Sequence, residues 1–371
     1  MRISDFDFHF PPERIALYPP KERGGSRLLV LNRQSGQIEH RRYTDLPGYL
    51  RPGDVLVLND TRVIKARLRA RKSTGGEIEL LLLEKHGGGP ADPHMAQAIF
   101  RGHLQPGDIL TIHDSHFTIH EIRDGIATIG GDVDLYDLAR TEGEVPLPPY
   151  LHRAAEPSDA ERYQTIFARD PGSVAAPTAS LNLTEEILAR IRAQGVQVVY
   201  LTLHVGLGTF QPVKEAEVEK HRIHSEFYSI PAETAQAIRD AKKDGRRVIA
   251  VGTTVTRALE SAKSSLINDH SARIAAPQPL LPTPNSLLPI SGEADIFIYP
   301  GYKFQIVDVL VTNFHAPRTT VLLLTTAFCC ASPKHSDAET GMGWENLKRA
   351  YQEALTRDYQ FLSYGDSMLI E

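Results

Sequence analysis

Between Ile64 and Arg71 the chain alternates without a break. Ile64, Ala66, Leu68 and Ala70 fall on one parity, and Lys65, Arg67, Arg69 and Arg71 on the other. Side chains of a strand point alternately to opposite faces, so this text, folded as a strand, gathers four cations on one face and the apolar residues on the other. Its surroundings carry short strand patterns divided by glycine turns. Gly75-Gly76 precedes the run 77–83, Gly107-Asp108 precedes 109–112, residues 117–122 alternate, and Asp124-Gly125 is a hairpin signal. Helical periodicity first shows at 133–141. Residues 63–148 therefore read as a small antiparallel β-barrel or sandwich, inserted into another domain.

The flanking text has a different character. Residues 55–58 read as a buried strand and Asn59-Asp60-Thr61-Arg62 as the turn after it. Pro146-Leu147-Pro148-Pro149-Tyr150 is a stiff linker that cannot be a regular helix. Beyond it, Thr184 caps a predicted helix 185–193 closed by Gly195, and strand 196–203 follows. Helix 232–243, strand 247–251, helix 255–264, strands 295–299 and 307–311, and helices 320–328 and 346–359 complete the pattern. Strand-helix alternation with short links predicts an α/β layered domain made of residues 1–62 and 149–371. Prolines at 277, 279, 282, 284 and 289 make 264–293 an irregular excursion.

Composition limits what such a fold can do. The 371 residues carry a formal net charge of −5, so a nucleic-acid site has to be sought in a local patch rather than in the total. Six cations between Arg62 and Lys72 supply one candidate, which Arg101 and His103 extend. The same cations also blunt an exposed strand edge, and both readings stay open. The two cysteines, Cys329 and Cys330, are adjacent and cannot make a four-thiolate metal site, which fits a reducing, cytoplasmic compartment. The N-terminal residues lack the apolar core of a signal peptide, and the apolar run 321–328 is too short to span a bilayer.

Four polar, glycine-bearing or histidine-bearing groups directly follow predicted strands. They are His204-Val205-Gly206-Leu207-Gly208-Thr209-Phe210, Gly252-Thr253-Thr254, Pro300-Gly301-Tyr302 and Asn313-Phe314-His315. In open α/β sheets, ligands bind beyond the carboxyl ends of strands, so these turns could line one rim. Gly206-Leu207-Gly208 lacks the third glycine of a dinucleotide fingerprint, which argues against a nicotinamide-dependent oxidoreductase. Gly252-Thr253-Thr254 lacks the Gly-Lys pair of a P-loop but could present backbone N–H groups at a helix start. His221 and His224 are spaced by three without a third ligand at a familiar offset, and no metal is expected. Asp60, Asp308 and Asp366 are acid-base candidates or caps.

Together these pieces resemble the S-adenosylmethionine:tRNA ribosyltransferase-isomerase family of queuosine biosynthesis. The matches run almost end to end. They include Asp5-Phe6-Asp7-Phe8, Ser26-Arg27-Leu28-Leu29, Asn59-Asp60-Thr61-Arg62-Val63-Ile64, and Val174-Ala175-Ala176-Pro177-Thr178-Ala179. Leu203-His204-Val205-Gly206, His224-Ser225-Glu226, Val251-Gly252-Thr253-Thr254 with Arg257-Ala258-Leu259-Glu260-Ser261, Thr312-Asn313-Phe314-His315 and Ser363-Tyr364-Gly365-Asp366 follow. The resemblance implies an α/β domain with an inserted β-barrel. It implies S-adenosylmethionine as ribosyl donor, no metal, and a tRNA anticodon arm carrying 7-aminomethyl-7-deazaguanine as acceptor. Epoxyqueuosine-tRNA, adenine and methionine would be the products.

On that basis His204, His224 and His315 are the candidate bases, since imidazole titrates in the useful range, and Asp366 could neutralise the sulfonium. Gly206, Gly208, Thr209, Thr253, Thr254, Arg257, Asn313, Ala179, Ser180 and Asn182 are expected at the donor, with Tyr302 or Phe314 stacking on a base. Arg62, Lys65, Arg67, Arg69 and Arg71 are expected on RNA phosphates. One motif departs from the family. Where Gly-Leu-His-Phe usually follows Pro-Thr-Ala, this chain has Ser180-Leu181-Asn182-Leu183, and Asn182 cannot act as a base near neutral pH. That departure leaves a divergent or non-catalytic, tRNA-binding member as the alternative.

Overall fold

A computed structural model describes residues 1–83, 92, 94–206, 213, 215–267, 289–330 and 340–371. The first hairpin, β1 (Arg27–Leu31) and β2 (Ile38–Arg42), is followed by the wholly buried β3 (Val55–Asn59) and the short β4 (Thr61–Val63). Next come β5 (Arg67–Lys72), β6 (Glu77–Leu82), β7 (Met95–Arg101), β8 (Ile109–Ile112), β9 (Ser115–Arg123), β10 (Ile126–Gly131) and helix α1 (Leu135–Glu142). The remaining strands are β11 (Asp170–Ser173), β12 (Gln197–Leu203), β13 (Phe227–Ile230), β14 (Val248–Val251), β15 (Ile290–Glu293), β16 (Val309–Asn313) and β17 (Ser367–Ile370). The helices between them are α2 (Asp159–Arg162), α3 (Glu185–Ala193), α4 (Ala232–Lys243), α5 (Thr253–Ser261), α6 (Lys263–Ile267), α7 (Thr320–Cys330) and α8 (Thr340–Thr356).

Among the described residues nine strands form one sheet in the order β15-β13-β12-β3-β14-β16-β17-β1-β2. The middle strands β12, β3, β14 and β16 are mutually parallel. Their near-continuous apolar text is what a strand covered on both faces requires. Parity divides β3 between two cores. Val55 and Val57 pack with α4, α5, α7 and α8, while Leu56 and Leu58 pack with α3. Three layers result, helix on sheet on helix.

Strands β5 to β10 close into a separate barrel, ordered β10-β7-β6-β5-β8-β9. Leu68 and Ala70 of β5 point into its core with Leu80, Ala98, Ile119 and Ile129, and α1 adds Leu135 and Ala139. Asp124 and Gly125 both take positive φ in the β9–β10 hairpin, the conformation its two-residue turn demands. The barrel branches from the sheet where β3 ends, and β4 pairs with β11 beneath it.

Two predicted elements change. Residues 61–62 belong to β4 rather than to a turn. The Asn59 side-chain oxygen accepts the N–H groups of both Thr61 and Leu203, so only Asp60 has to bend. Residues 295–299 are not a strand; β15 lies just before them and pairs with β13 from Ile290 to Glu293. Ile296, Phe297, Ile298 and Tyr299 owe their apolar character to packing on the main core without a ladder partner. The proline-rich stretch lies largely outside the described residues, at 268–288.

Gly143 closes α1 against the barrel. A Cβ there would overlap the backbone oxygens of Lys65 and Ala139, whereas one on Gly48 meets nothing within 4 Å. Gly143→Ala is therefore expected to lower the unfolding free energy by about 1–3 kcal/mol, as overpacking does. Gly48→Ala should stay within about 0.5 kcal/mol of the parent, as surface substitutions usually do. Denaturant midpoints of the two variants check this.

Candidate active site

Strand directions bring many chain segments to one edge of the sheet. The carboxyl ends of β3, β12, β14 and β16 end together, and β17 and β1, which run the opposite way, begin there. Between them lies a cavity of about 210 Å³. Val205 and Gly252 stand on its walls with Thr253, Thr254, Thr312, Asn313 and His315. Ala175 to Ala179, Tyr150, Ala316, Thr319, Val321, Leu362 and Ser363 complete it, so no formally charged side chain other than an ionisable histidine lines it among the described residues.

Each polar group has a local cause. Gly252 turns the chain from β14 into α5 at φ +103°, a conformation that favours glycine. The turn places Thr253 and Thr254 in the first turn of α5, where backbone N–H groups lack helical partners. Thr319, Thr320 and Val321 bring the start of α7 to the same cavity. Two positive helix ends thus converge on one space, suited to an anionic ligand group. The Thr254 hydroxyl is buried and has no hydrogen-bond partner among the described residues. Such a group costs free energy unless a ligand or water satisfies it.

His315 is fixed from two sides. Its Nε2 lies 2.9 Å from the Thr312 hydroxyl, and its backbone N–H donates to the Tyr351 hydroxyl at 3.0 Å. Burial pushes the imidazole pKa down from 6.5 to about 3, so the ring is neutral under ordinary conditions. Asn313 is set by the Thr178 hydroxyl, which donates to its Oδ1 at 2.9 Å. The Tyr150 and Ser363 hydroxyls lie 2.5 Å apart, and burial pushes Tyr150 up to about 12.

Other candidates lie elsewhere. His204 is buried beside the cavity wall, with Nδ1 2.8 Å from the Thr61 hydroxyl and its ring packed against Gly172. His224 is exposed. Asp366 accepts from the backbone N–H groups of Arg27 and Gln360 and from the Arg27 guanidinium, while burial holds its carboxyl above the usual range. Its neighbours make it a strut of the rim rather than a partner for a sulfonium in the cavity. Phe314 is fully buried among Tyr351, Tyr359 and Phe361 and has no face free for a base. Tyr302 donates to Glu260 and receives a hydrogen bond from Lys263 away from the cavity. Asp60 accepts from Thr202 and pairs with Arg169, and Asp308 pairs with Lys242; both are structural.

Arg257 does not line the main cavity. Its guanidinium donates to Glu226 and, at 2.5 Å, to the carbonyl of Ala294. Glu226 in turn accepts the Gly206 N–H at 2.9 Å. The pair, 7% and 2% exposed, ties the end of β12 to α5 and the β15 edge. Gly208 and Thr209 lie outside the described residues. Ser180 and Asn182 are buried off the cavity, and Asn182 accepts a hydrogen bond from Ser26. The departure from the family motif therefore leaves the lining untouched. Ala179, by contrast, does line it. Sequence reasoning missed Tyr150, Thr178, Thr312 and Ser363 as lining, although all but Thr319 of the polar lining sit in motifs already singled out.

The cationic strand is largely neutralised. Arg67 faces Glu79, Arg69 pairs with Glu144, Arg71 with Glu77 and Lys72 with Asp108. Arg62 and Lys65 are exposed. Among the described residues no three His, Cys, Asp or Glu side chains stand together as a metal site would need.

A three-layered α/β domain with a barrel branching beside a strand-end cavity has the form of an enzyme that acts on a ligand at a sheet rim. Comparison with known proteins gives the family. Residues 3–370 match the family model described as queuosine biosynthesis protein, and the chain belongs to that family. It is 53% identical to the S-adenosylmethionine:tRNA ribosyltransferase-isomerase of Chlorobaculum parvum over 372 residues, covering all of both chains. The enzyme of that name from Pelobacter propionicus is 45% identical over 377 residues, again covering all of both. The crystal structure of S-adenosylmethionine tRNA ribosyltransferase from Thermotoga maritima superposes with a TM-score of 0.52 at 32% identity, over 99% of this chain and 100% of that one. The enzyme reading of the motifs thus stands over that of a non-catalytic member.

Two outcomes follow from the geometry. Arg257→Ala removes the guanidinium paired with the buried Glu226 carboxylate and should cost about 3–5 kcal/mol of stability; chemical denaturation measures it. For His315, the folded pKa near 3 lies below the unfolded value of 6.5. The unfolded chain binds the proton first, so stability is full above 6.5 and is lost as pH falls toward 3. Between pH 7 and pH 5 this removes about 2 kcal/mol, a loss that His315→Gln should lack. Unfolding curves of both proteins at the two pH values check it.

Proposed function

We propose that the protein transfers and isomerises the ribosyl moiety of S-adenosylmethionine onto 7-aminomethyl-7-deazaguanine at the tRNA wobble position. The products are epoxyqueuosine-tRNA, adenine and methionine, and the work is done in the cytoplasm, where tRNA is at hand. Among the described residues no helix is long and apolar enough to cross a membrane, which is compatible with that placement. We take residues 63–148 as an inserted unit and 1–62 with 149–371 as the catalytic one, a division supported by their separate cores.

In this reading S-adenosylmethionine is a substrate and occupies the cavity at the strand ends. The starts of α5 and α7, with the unsatisfied Thr254 hydroxyl, take the methionine carboxylate. His315 accepts the proton from the carbon beside the sulfonium, whose positive sulfur acidifies it. An imidazole buried deeply enough to stay neutral is ready to accept, yet its protonated form is costly. Proton transfer from a sulfonium compound to His315 moves one positive charge across the cavity rather than creating a new one. The cost of the buried imidazolium is thereby offset by discharge of the neighbouring cation. His315, the one histidine of the three candidates found on the lining, is the observation that carries this assignment.

Chromatography of adenine released from S-adenosylmethionine in the presence of the aminomethyl-deazaguanine tRNA tests it. Adenine should form only with that tRNA. His315→Ala should slow release by about 100-fold or more, the scale of a lost general base, while His224→Ala keeps near-parental rates. Full activity of folded His315→Ala would remove the proposed base.

A further inference from the structure

A second, wider groove of about 610 Å³ opens at the same end of the sheet. Arg27, Arg41, Arg42, Arg357 and His40 line it, with Asp45 as the acidic side chain of the lining. Its place follows from the strand register. Asn313 of the cavity pairs with Ser367, Ser367 with Leu28, and Arg27 with Arg42. Strands lie about 4.8 Å apart, so Arg27 and Arg42 begin about 10 Å and about 15 Å along the rim from Asn313. The barrel branches from the sheet after β3, and the chain returns from it through Tyr150 on the cavity wall. The arginine groove lies further along the rim, beyond β17.

The groove's chemistry suits phosphate. Arg27 is held rigid: its guanidinium bonds Asp366 and the carbonyl of Arg357 and lies 3.9 Å from the centre of the Tyr359 ring. Its side chain still keeps 38% exposure. Arg41 and Arg357 pair with Glu39 and Glu353 at the surface. Exposed pairs of that kind are worth about 0–1 kcal/mol, so a phosphate can take either guanidinium at little cost. Arg42 is exposed and has no carboxylate partner among the described residues. Guanidinium binds phosphate oxygens bidentately and is the side chain suited to a backbone that must be gripped at fixed points. On the barrel Arg69 and Arg71 form equally exposed pairs with Glu144 and Glu77; the groove differs in gathering three further arginines around the anchored Arg27. Groove and cavity also share a strut, since Asp366 bonds Arg27 with its carboxylate and receives the Asn313 amide on its carbonyl at 3.5 Å.

We propose that this groove holds the phosphate backbone of the tRNA anticodon loop beside the wobble nucleotide, and that Arg41 and Arg42 are its main exchangeable contacts. The proposal rests on the ribosyl-transfer reading. Adenine release at saturating S-adenosylmethionine, followed against tRNA concentration, tests it with Arg41→Glu/Arg42→Glu and, as comparison, Arg69→Glu/Arg71→Glu. The groove variant should raise the KM for tRNA about tenfold or more with kcat and the KM for S-adenosylmethionine within about twofold. Loss of two phosphate contacts should also flatten the slope of log affinity against log salt by about 1.4. Arg41→Lys/Arg42→Lys should restore most of the affinity, and the barrel variant should raise the KM for tRNA less than the groove variant does.

An unchanged KM for tRNA in a folded groove variant, beside an active parent, overturns the groove and leaves ribosyl transfer standing. If the parent releases no adenine, the ribosyl-transfer reading falls instead. Direct binding of the same tRNA to parent and groove variant then decides: weaker binding by the variant upholds the groove, and equal binding overturns it.

Discussion

Four parallel strands buried on both faces have to stop somewhere, and where they stop their backbone groups and the turns that follow need polar partners. In this chain β3, β12, β14 and β16 stop together, and the polar residues of the rim meet that need first. Asn59 takes two N–H groups at the ends of β3 and β12. Gly252 bends β14 into α5, and the Thr312 hydroxyl meets the His315 imidazole just past β16. The site is the portion of this rim left uncovered. Among the described residues its wall carries no formal charge while His315 is neutral, Thr178 sets Asn313 and Thr312 meets His315, and two helix starts point at it.

Charges are kept out of that space and used around it. Glu226 and Arg257 sit behind the wall and fasten the end of β12 to α5. Asp366 stands behind Asn313 and fastens β1 to the segment before β17. Removing the arginine beside either carboxylate would take a cation from a buried acid, so the rim geometry is held by interactions expensive to break singly. The cavity can then exclude protein charge while staying rigid, which suits a substrate that carries its own cation.

Much of this was legible in the sequence, for physical reasons that differ by residue. Period-two alternation at 64–71 and the glycine turns after it gave the barrel, because a strand covered on one face has no other way to write its text. Continuous apolar runs ending in Gly252 and Asn313 gave the parallel sheet and the rim. His315 and Thr254 were visible because they directly follow such runs. Phe314 was misplaced because an aromatic residue beside a site reads the same whether it faces the ligand or the core. Arg257 and Asp366 were misread because their buried partners, Glu226 and Arg27, are far away in sequence. The 295–299 run failed as a strand because apolar packing without a neighbour leaves the same pattern as a ladder. The cations of β5 drew attention as a patch, but the glutamates facing Arg69 and Arg71 come from α1's far end and from β6, and their pairing appears only in three dimensions.

S-adenosylmethionine is proposed to sit in the neutral cavity at the strand ends, bounded by Gly252 and His315. Calorimetric titration of S-adenosylmethionine into the parent protein and into Ala316→Trp tests this most directly, because Ala316 lines the cavity and an indole there would fill it. The parent should bind measurably and the variant should not, with the two proteins unfolding at closely similar temperatures. Undiminished binding by a folded Ala316→Trp protein would contradict it.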